Sequence, residues 1–289
     1  MKNSYIIISP VRNEEKWIEK TLKSVINQSV LPVEWILVND GSKDRTAEII
    51  ESYQGKHPWI KLINLPDRGY YLPGAGVVNA FYKGFNNISF NEWDYIVKLD
   101  CDLEFEADYF ERLLLKFFED SKLGIASGCT YLPKKNKLIR EPSQKDHPVG
   151  PSKVYRRKCW EDIQGLRPIP GWDLADLLTA QLKDWKTACY FELKIIHYRL
   201  TGSRRKGLWG PKHLQGRFEF RHGYSFGYTL LKAFRHLFSR PIIIGSMAKL
   251  SGYIYSAIKK EPYLFDLEVR KFLRKKHNNS LLGMLKLKK

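Results

Sequence analysis

The sequence predicts an α/β fold, with a mostly parallel central sheet flanked by helices, followed by a basic, mainly helical C-terminal region. Two observations carry that prediction. Over the first ~120 residues, short β-branched runs alternate with stretches whose apolar residues recur at helical spacing. After Thr201 the alternation stops, and basic and aromatic residues interleave instead. A third observation bounds the class. With 289 residues, 43% hydrophobic and 28% charged, the chain can bury a core and is too apolar to be wholly disordered.

Residues 5–9 (YIIIS) read as a buried strand closed by Pro10. Residues 14–28 put Trp17, Ile18, Thr21, Leu22, Val25 and Ile26 at helical spacing, with acids in front. Residues 35–38 (WILV) form the second strand and run into Asn39-Asp40-Gly41-Ser42. Residues 44–53 repeat the helical pattern, with Asp44 as the expected N-cap. Residues 60–64 are the third strand, 75–85 a helix, 94–99 (DYIVKL) the fourth strand and 108–118 a helix. Further on, residues 124–131 read as a strand and 134–151 as a charged loop. Residues 173–182 then read as a helix and 195–198 as the last strand. Gly74-Ala75-Gly76 opens a helix but lacks the third glycine of a dinucleotide-binding turn and does not follow the first strand, so that reading is rejected.

The charge is divided sharply. Lys and Arg number 49 against 31 Asp and Glu, a net of +18. Residues 1–198 hold 28 basic and 27 acidic side chains, whereas residues 199–289 hold 21 and 4. A near-neutral body with a cationic tail points that tail at a polyanion, either nucleic acid or an anionic membrane. Cys101, Cys129, Cys159 and Cys189 stand far apart with no CxxC pair, which argues against disulfides and a Cys-rich metal site. The first apolar run is too short for a signal peptide. The longest apolar tract, residues 241–258, is interrupted by Ser246, Lys249 and Ser251 and is too short to span a bilayer. These features predict a reduced, cytosolic protein.

In a parallel sheet, ligands bind beyond the carboxyl ends of the strands. That rule singles out residues 10–14, 40–42, 69–76 and 100–102. In Asp100-Cys101-Asp102, two carboxylates two residues apart in extended chain point to one side. They can hold a hard divalent cation that also takes phosphate oxygens, although Asp-x-Asp taken alone reads more simply as solvated loop acids. Asp40-Gly41-Ser42 suits a contact to a base or ribose, or a plain turn and cap. Asn13 and Glu14 open a helix and can either contact a nucleotide or cap that helix. Asp173 and Asp176, three apart, share a helical face where one can serve as general base or both can complement the helix dipole. His197 ends an apolar strand, as a structural histidine or a third metal ligand.

Taken in order, PVRNEE (10–15), VNDGS (38–42), KLDCD (98–102), GWDLADLLTAQLKDWKT (171–187) and IIHYR (195–199) resemble the family-2 glycosyltransferases of GT-A fold. The likeness covers about two thirds of the chain and is carried by the ordered set rather than by any single motif. It implies a catalytic domain over residues 1–200, with a nucleotide-sugar half of about residues 1–103 and an acceptor half of about residues 104–200. It implies a donor site drawn from Pro10, Val11, Arg12, Asn13, Glu14, Asp40, Gly41, Ser42, Arg68, Asp100, Cys101 and Asp102. Asp102 would be the direct ligand of Mg2+ or Mn2+, with Asp100 and His197 beside it. Asp176 falls where the base is expected and Asp173 is the alternative, because Ala175-Asp176 replaces the usual Glu-Asp pair. The implied reaction is inverting transfer from a nucleoside diphosphate sugar, by family habit a UDP-sugar, to a saccharide or lipid-linked acceptor. There is no QxxRW motif, which favours a single transfer over processive synthesis.

Residues 201–289 read as a separate attachment region. Between residues 204 and 240, Arg204, Arg205, Lys206, Arg217, Arg221 and Arg235 interleave with Trp209, Phe218, Phe220, Tyr224, Phe226, Tyr228 and Phe234. Residues 263–276 (YLFDLEVRKFLRKK) read as a terminal amphipathic helix, with fraying from residue 278. Such segments suit the anionic inner face of a membrane, predicting a peripheral protein. Nucleic-acid binding is the competing reading of the same composition, but no nucleic-acid motif accompanies it. A homo-oligomer built through this region is the third.

Overall fold

The computed structural model describes residues 4–70, 72–134, 137–199, 207, 209–235 and 243–286. The chain divides into two compact units, Met1–Leu200 and Thr201–Lys289.

In the first unit, strands and helices alternate from the start. β1 (Tyr5–Val11), α1 (Ile18–Ile26), β2 (Glu34–Asp40), α2 (Thr46–Gln54), β3 (Ile60–Leu65), α3 (Ala75–Phe85) and β4 (Tyr95–Leu99) build a parallel ladder in the order β3-β2-β1-β4. Successive side chains of β1 point to opposite faces. Tyr5 and Ile7 pack with Ile18, Leu22 and Val25 of α1, whereas Ile6 and Ile8 pack with Val78 and Phe81 of α3. Burial on both sides explains why these strands are continuous apolar runs.

Beyond β4 the sheet is mixed. β5 (Leu103–Phe105), α4 (Tyr109–Glu119), β6 (Leu123–Lys134), β7 (Lys137–Arg140), β8 (Ser152–Arg156), α5 (Arg157–Ile163), α6 (Trp172–Leu182) and β9 (Lys186–His197) complete the unit. β8 enters antiparallel to β4, with Ser152 opposite Leu99. β9 runs parallel to β6 and antiparallel to β5, with His197 opposite Leu103. These registers bring the ends of β1, β2, β4 and β9 and the start of β8 to the neighbourhood of residues 100–103.

Several boundaries differ from the sequence reading. α1 begins at Ile18 rather than residue 14, because residues 14–17 form a turn in which Trp17 N and Ile18 N both donate to Glu14 O. Asp44 stands one residue before the N-cap of α2, and its carboxylate accepts from the backbone N–H of Thr46 and of Glu15. The loop at 134–151 contains the exposed strand β7, paired with β6. β9 is three times longer than the strand expected at 195–198, and a register shift against β6 breaks its pattern.

The second unit is helical: α7 (Trp209–Arg221), α8 (Phe226–Arg235), α9 (Ile244–Ile258) and α10 (Leu267–Lys286). α10 starts four residues later than the predicted terminal helix and stays helical through Lys286, where fraying was expected. Arg204, Arg205 and Lys206 lie outside the described residues. Among the described residues, no helix is long and apolar enough to cross a membrane.

Candidate active site

The β1 and β2 ends are tied to each other. Pro10 and Val11 finish β1 opposite Val38 and Asn39. Asn13 adopts a left-handed φ of 54°; its N–H donates to Ser42 Oγ at 2.9 Å, and its Oδ1 accepts from Lys43 N at 2.8 Å. Arg12 reaches across, donating to Asp40 O at 2.8 Å and to Asp67 Oδ1 at 2.6 Å. The Gly69 amide, Lys43 and Arg12 hold the Asp67 carboxyl well below the usual carboxylate range. Arg68 Nη1 bonds both carboxylate oxygens of Asp40 at 2.5 Å. Gly41 turns the chain at φ +69°, and a Cβ there would lie 2.4 Å from Asp67 Cα, so only glycine fits.

The β4 end carries the acidic triplet. Cys101 is buried in the core, and burial pushes its thiol well up. Asp100 is gripped by Lys98, whose ammonium also donates to Gly150 O at 3.1 Å. Burial raises the Asp100 carboxyl, Lys98 opposes that rise, and Asp102 adds to it. Asp102 Oδ2 lies 3.6 Å from His197 Nε2 and 3.9 Å from Arg199 Nε. His197 Nδ1 meets Glu141 Oε2 at 2.9 Å. Burial alone would lower the imidazole, but Asp102 and Glu141 outweigh it and hold it up to about 9. Arg199 also pairs with Glu14, joining the β1 loop to the acidic triplet.

The two candidate bases face different surroundings. Asp176 is sealed in the protein. Its carboxylate accepts from Lys153 Nζ at 2.8 and 3.0 Å, from Tyr155 OH at 2.5 Å and from Leu177 N at 2.5 Å. Burial pushes the carboxyl up, and Lys153 and Tyr155 pull against it. Every lone pair is taken and no face is left for an acceptor hydroxyl. The position that the resemblance implies for the base is thus enclosed in this structure. Asp173, one turn earlier, is exposed. Its Oδ2 lies 3.4 Å from where a Cβ on Gly150 would stand, beside the carbonyl that Lys98 holds. The Trp172 ring lies between the two lysines, 5.2 Å from Lys98 Nζ and 5.5 Å from Lys153 Nζ. Asp100, Lys98, Gly150 and Asp173 are thus joined by consecutive contacts that run through the buried Lys98.

The ligand set expected for a cation is only partly assembled. Among the described residues, no three His, Cys, Asp or Glu side chains are grouped to hold a metal ion, so Asp100, Asp102 and His197 do not form a protein-only cage. Asp100 turns to Lys98 instead, and His197 sits against the Asp102 carboxylate. One observation does fit a hard cation: Asp102 Oδ1 is buried with no hydrogen-bond partner, while Oδ2 of the same carboxylate faces His197 and Arg199.

Sequence reasoning singled out neither Lys98, Lys153, Tyr155 and Glu141 nor the two ties made by Arg199. The Lys98-x-Asp100 spacing, which lets a strand-end lysine meet the first aspartate, was the one local signal.

Residues 6–170 match the family model described as "Glycosyl transferase family 2", more than half of the chain. The chain belongs to that family. This glycosyltransferase is 32% identical over 130 residues to chondroitin synthase of Pasteurella multocida (strain Pm70), covering 45% of this chain and 12% of that one. It is 29% identical over 127 residues to poly-beta-1,6-N-acetyl-D-glucosamine synthase of Staphylococcus epidermidis, covering 44% and 28%. The match thus spans well under a third of either relative's length. Among solved structures, TarS of S. aureus in complex with UDP-GlcNAc superposes with a TM-score of 0.55 at 16% identity, covering 89% of this chain and 73% of that one. Mannosyltransferase PcManGT from Pyrobaculum calidifontis, in complex with GDP-Man and Mn2+, does so with a TM-score of 0.52 at 15% identity, covering 96% and 80%. At such identities the likeness is one of fold, and the fold is the GT-A type.

Proposed function

We propose that this glycosyltransferase moves a sugar from a nucleoside diphosphate donor to an acceptor hydroxyl in a single inverting displacement, with Asp173 as general base. The observation that carries this reading is the exposed Asp173 carboxylate beside Gly150, whose carbonyl shares Lys98 with Asp100. Its sequence neighbour Asp176 is the anchor beneath it.

The donor half draws on the ends of β1, β2 and β4. Asp40, Arg68, Arg12 and Ser42 would line the positions of the base, ribose and phosphates, and a UDP-sugar is the first donor to test. Relatives of the same fold were solved with UDP-GlcNAc and with GDP-Man, which supports a nucleotide sugar and makes the guanosine donor the second to test. A divalent cation, Mg2+ or Mn2+, held through Asp102, would neutralise charge gathering on the departing diphosphate. Asp173 takes the proton from the acceptor hydroxyl, whose oxygen bonds to the anomeric carbon while the carbon–phosphate-oxygen bond breaks and its electron pair leaves with the diphosphate. Residues of the acceptor half, about 104–200, receive a saccharide or a lipid-linked saccharide.

The test is nucleoside diphosphate release from UDP-GlcNAc and GDP-mannose with Mn2+, run beside a thermal-shift screen, since a ligand bound only by the folded state raises its melting temperature. Release that Asp173→Asn abolishes without loss of donor binding is the expected result. Donor binding with no release by any acceptor-supplied wild-type sample would make the chain a sugar-nucleotide binder instead.

A further inference from the structure

α9 is built inside out. Its one charged residue, Lys249, points inward and pairs with Glu219 of α7 at 2.7 Å. Gly216 of α7 and Gly252 of α9 bring the two backbones into contact, since a Cβ on either would lie within 2 Å of a carbonyl oxygen on the other helix. That contact fixes which face is covered: Gly245, Ser246, Ala248, Lys249, Gly252, Tyr253 and Ser256 are buried. The opposite face is mainly aliphatic and in the open, with Tyr255 exposed at its edge. Ile244, Met247, Ile254 and Ile258 recur at helical spacing and are exposed, Met247 by 57% and Ile258 by 74%. No charged side chain interrupts them. Lys259 and Lys260 follow at the end of the helix, both exposed.

We propose that this face of α9 docks on an anionic lipid bilayer, its aliphatic side chains entering the boundary between headgroups and acyl chains. Three arguments select lipid over the alternatives. Residues 201–289 carry 20 basic and 4 acidic side chains, which attract an anionic surface and repel a second copy of the same unit. The stripe is ~22 Å long and one helix face wide, a few hundred Å2, well short of the ~800 Å2 per partner of a stable protein interface. Nucleic acid needs cations and stacking rings, whereas the exposed ring of this helix, Tyr255, lies at the edge of the stripe by helical spacing and is already covered by Arg217 at 5.3 Å. The helix is also too short to span, so it lies in the surface plane. This inference is independent of the sugar-transfer reading, and it moves the attachment from the basic aromatic stretch at 204–240 to a tract that the sequence shows only as interrupted and apolar.

The experiment is flotation of the full chain with vesicles made of equal parts phosphatidylcholine and phosphatidylglycerol, at low and high salt, beside phosphatidylcholine alone. Wild type should float with the anionic vesicles at low salt. The double variant Met247→Gln/Ile258→Gln, which leaves the charge unchanged, should partition about tenfold less while melting at the wild-type temperature. Wild type that stays at the bottom overturns the proposal, as does a double variant that floats equally well. So does a size-exclusion dimer that the double variant converts to monomer without any vesicle binding, which would assign the face to a second copy. A shift of oligonucleotides with no vesicle binding would overturn it in favour of nucleic acid.

Discussion

Lys153 and Asp176 form an ion pair sealed from solvent, 2.8 Å from Nζ to Oδ1, with side-chain exposures of 0% and 1%. The same ammonium donates to the carbonyl of Asp173 at 2.5 Å. One buried charge pair therefore pins the first turn of α6, and that turn carries the proposed base.

Stability and turnover should separate at these two aspartates. Asp176→Ala or Lys153→Met leaves an uncompensated charge or carboxyl in the core, a loss of about 3–5 kcal/mol in such pairs. Asp173→Asn changes an exposed side chain and should alter stability by within about 0.5 kcal/mol, yet lower turnover by about 10²–10⁴. Urea melts and initial rates on the same preparations decide. A stable Asp176→Asn enzyme that binds donor and does not turn over would return the base to Asp176.

Asp102 and Asp100 should respond differently to metal. Asp102 Oδ1 lacks a partner, while Asp100 is held by Lys98. Mn2+ should therefore raise the melting temperature in the presence of UDP for wild type and, more weakly, for Asp100→Asn. Asp102→Asn should show no metal-dependent part of that shift, and chelation should return wild type to the same value. Equal shifts in all three proteins would remove Asp102 from the metal reading.

How much of this was legible in the sequence follows from where the partners lie. β1, β2 and β4 are buried on both faces, so their strand character is written in consecutive apolar residues, and the loops that follow them were found by the strand-end rule. β8 was missed because its second residue is a lysine. Lys153 looks solvent-facing until Asp176, more than twenty residues on, is known to neutralise it. The same gap hides the difference between the two aspartates: a spacing of three puts Asp173 and Asp176 on one helical side, and nothing local says that one of them is roofed by β8. Arg199 escaped for a like reason, since Glu14, its partner, comes from the other end of the unit. The face of α9 was illegible because Lys249 breaks the apolar tract in sequence but turns inward in space.

Gly41 is a stringent test of the donor-side loop. Alanine there would have to adopt φ near +69° and place its Cβ 2.4 Å from the Asp67 backbone. Left-handed strain alone costs on the order of 1–3 kcal/mol. Shifting Asp67 would also loosen its contact with Arg12. Gly41→Ala should lower the urea midpoint and weaken nucleotide binding together. A variant with wild-type stability and affinity would show that the turn tolerates a side chain and that Asp67 has room to move.

The second unit should be acid-sensitive through His277. Its ring stacks on Tyr228, with centroids 3.7 Å apart, and its buried Nδ1 has no hydrogen-bond partner. Burial first, then the charge of Lys232, lower it to about 4, with Glu219 opposing and Lys276 adding. A histidine kept neutral by folding binds its proton in the unfolded chain first. As pH falls from the ordinary value of 6.5 toward 4, protons thus favour unfolding, and the loss levels off below the folded value. The contribution is on the order of 2 kcal/mol once partial solvent screening is allowed for. His277→Phe keeps the stack and removes the titration. Its melting temperature should fall less than that of wild type between pH 7 and pH 4.5. An NMR titration placing the wild-type ring near 6.5, or identical acid profiles for the two proteins, would show that the α8–α10 packing carries no proton-linked term.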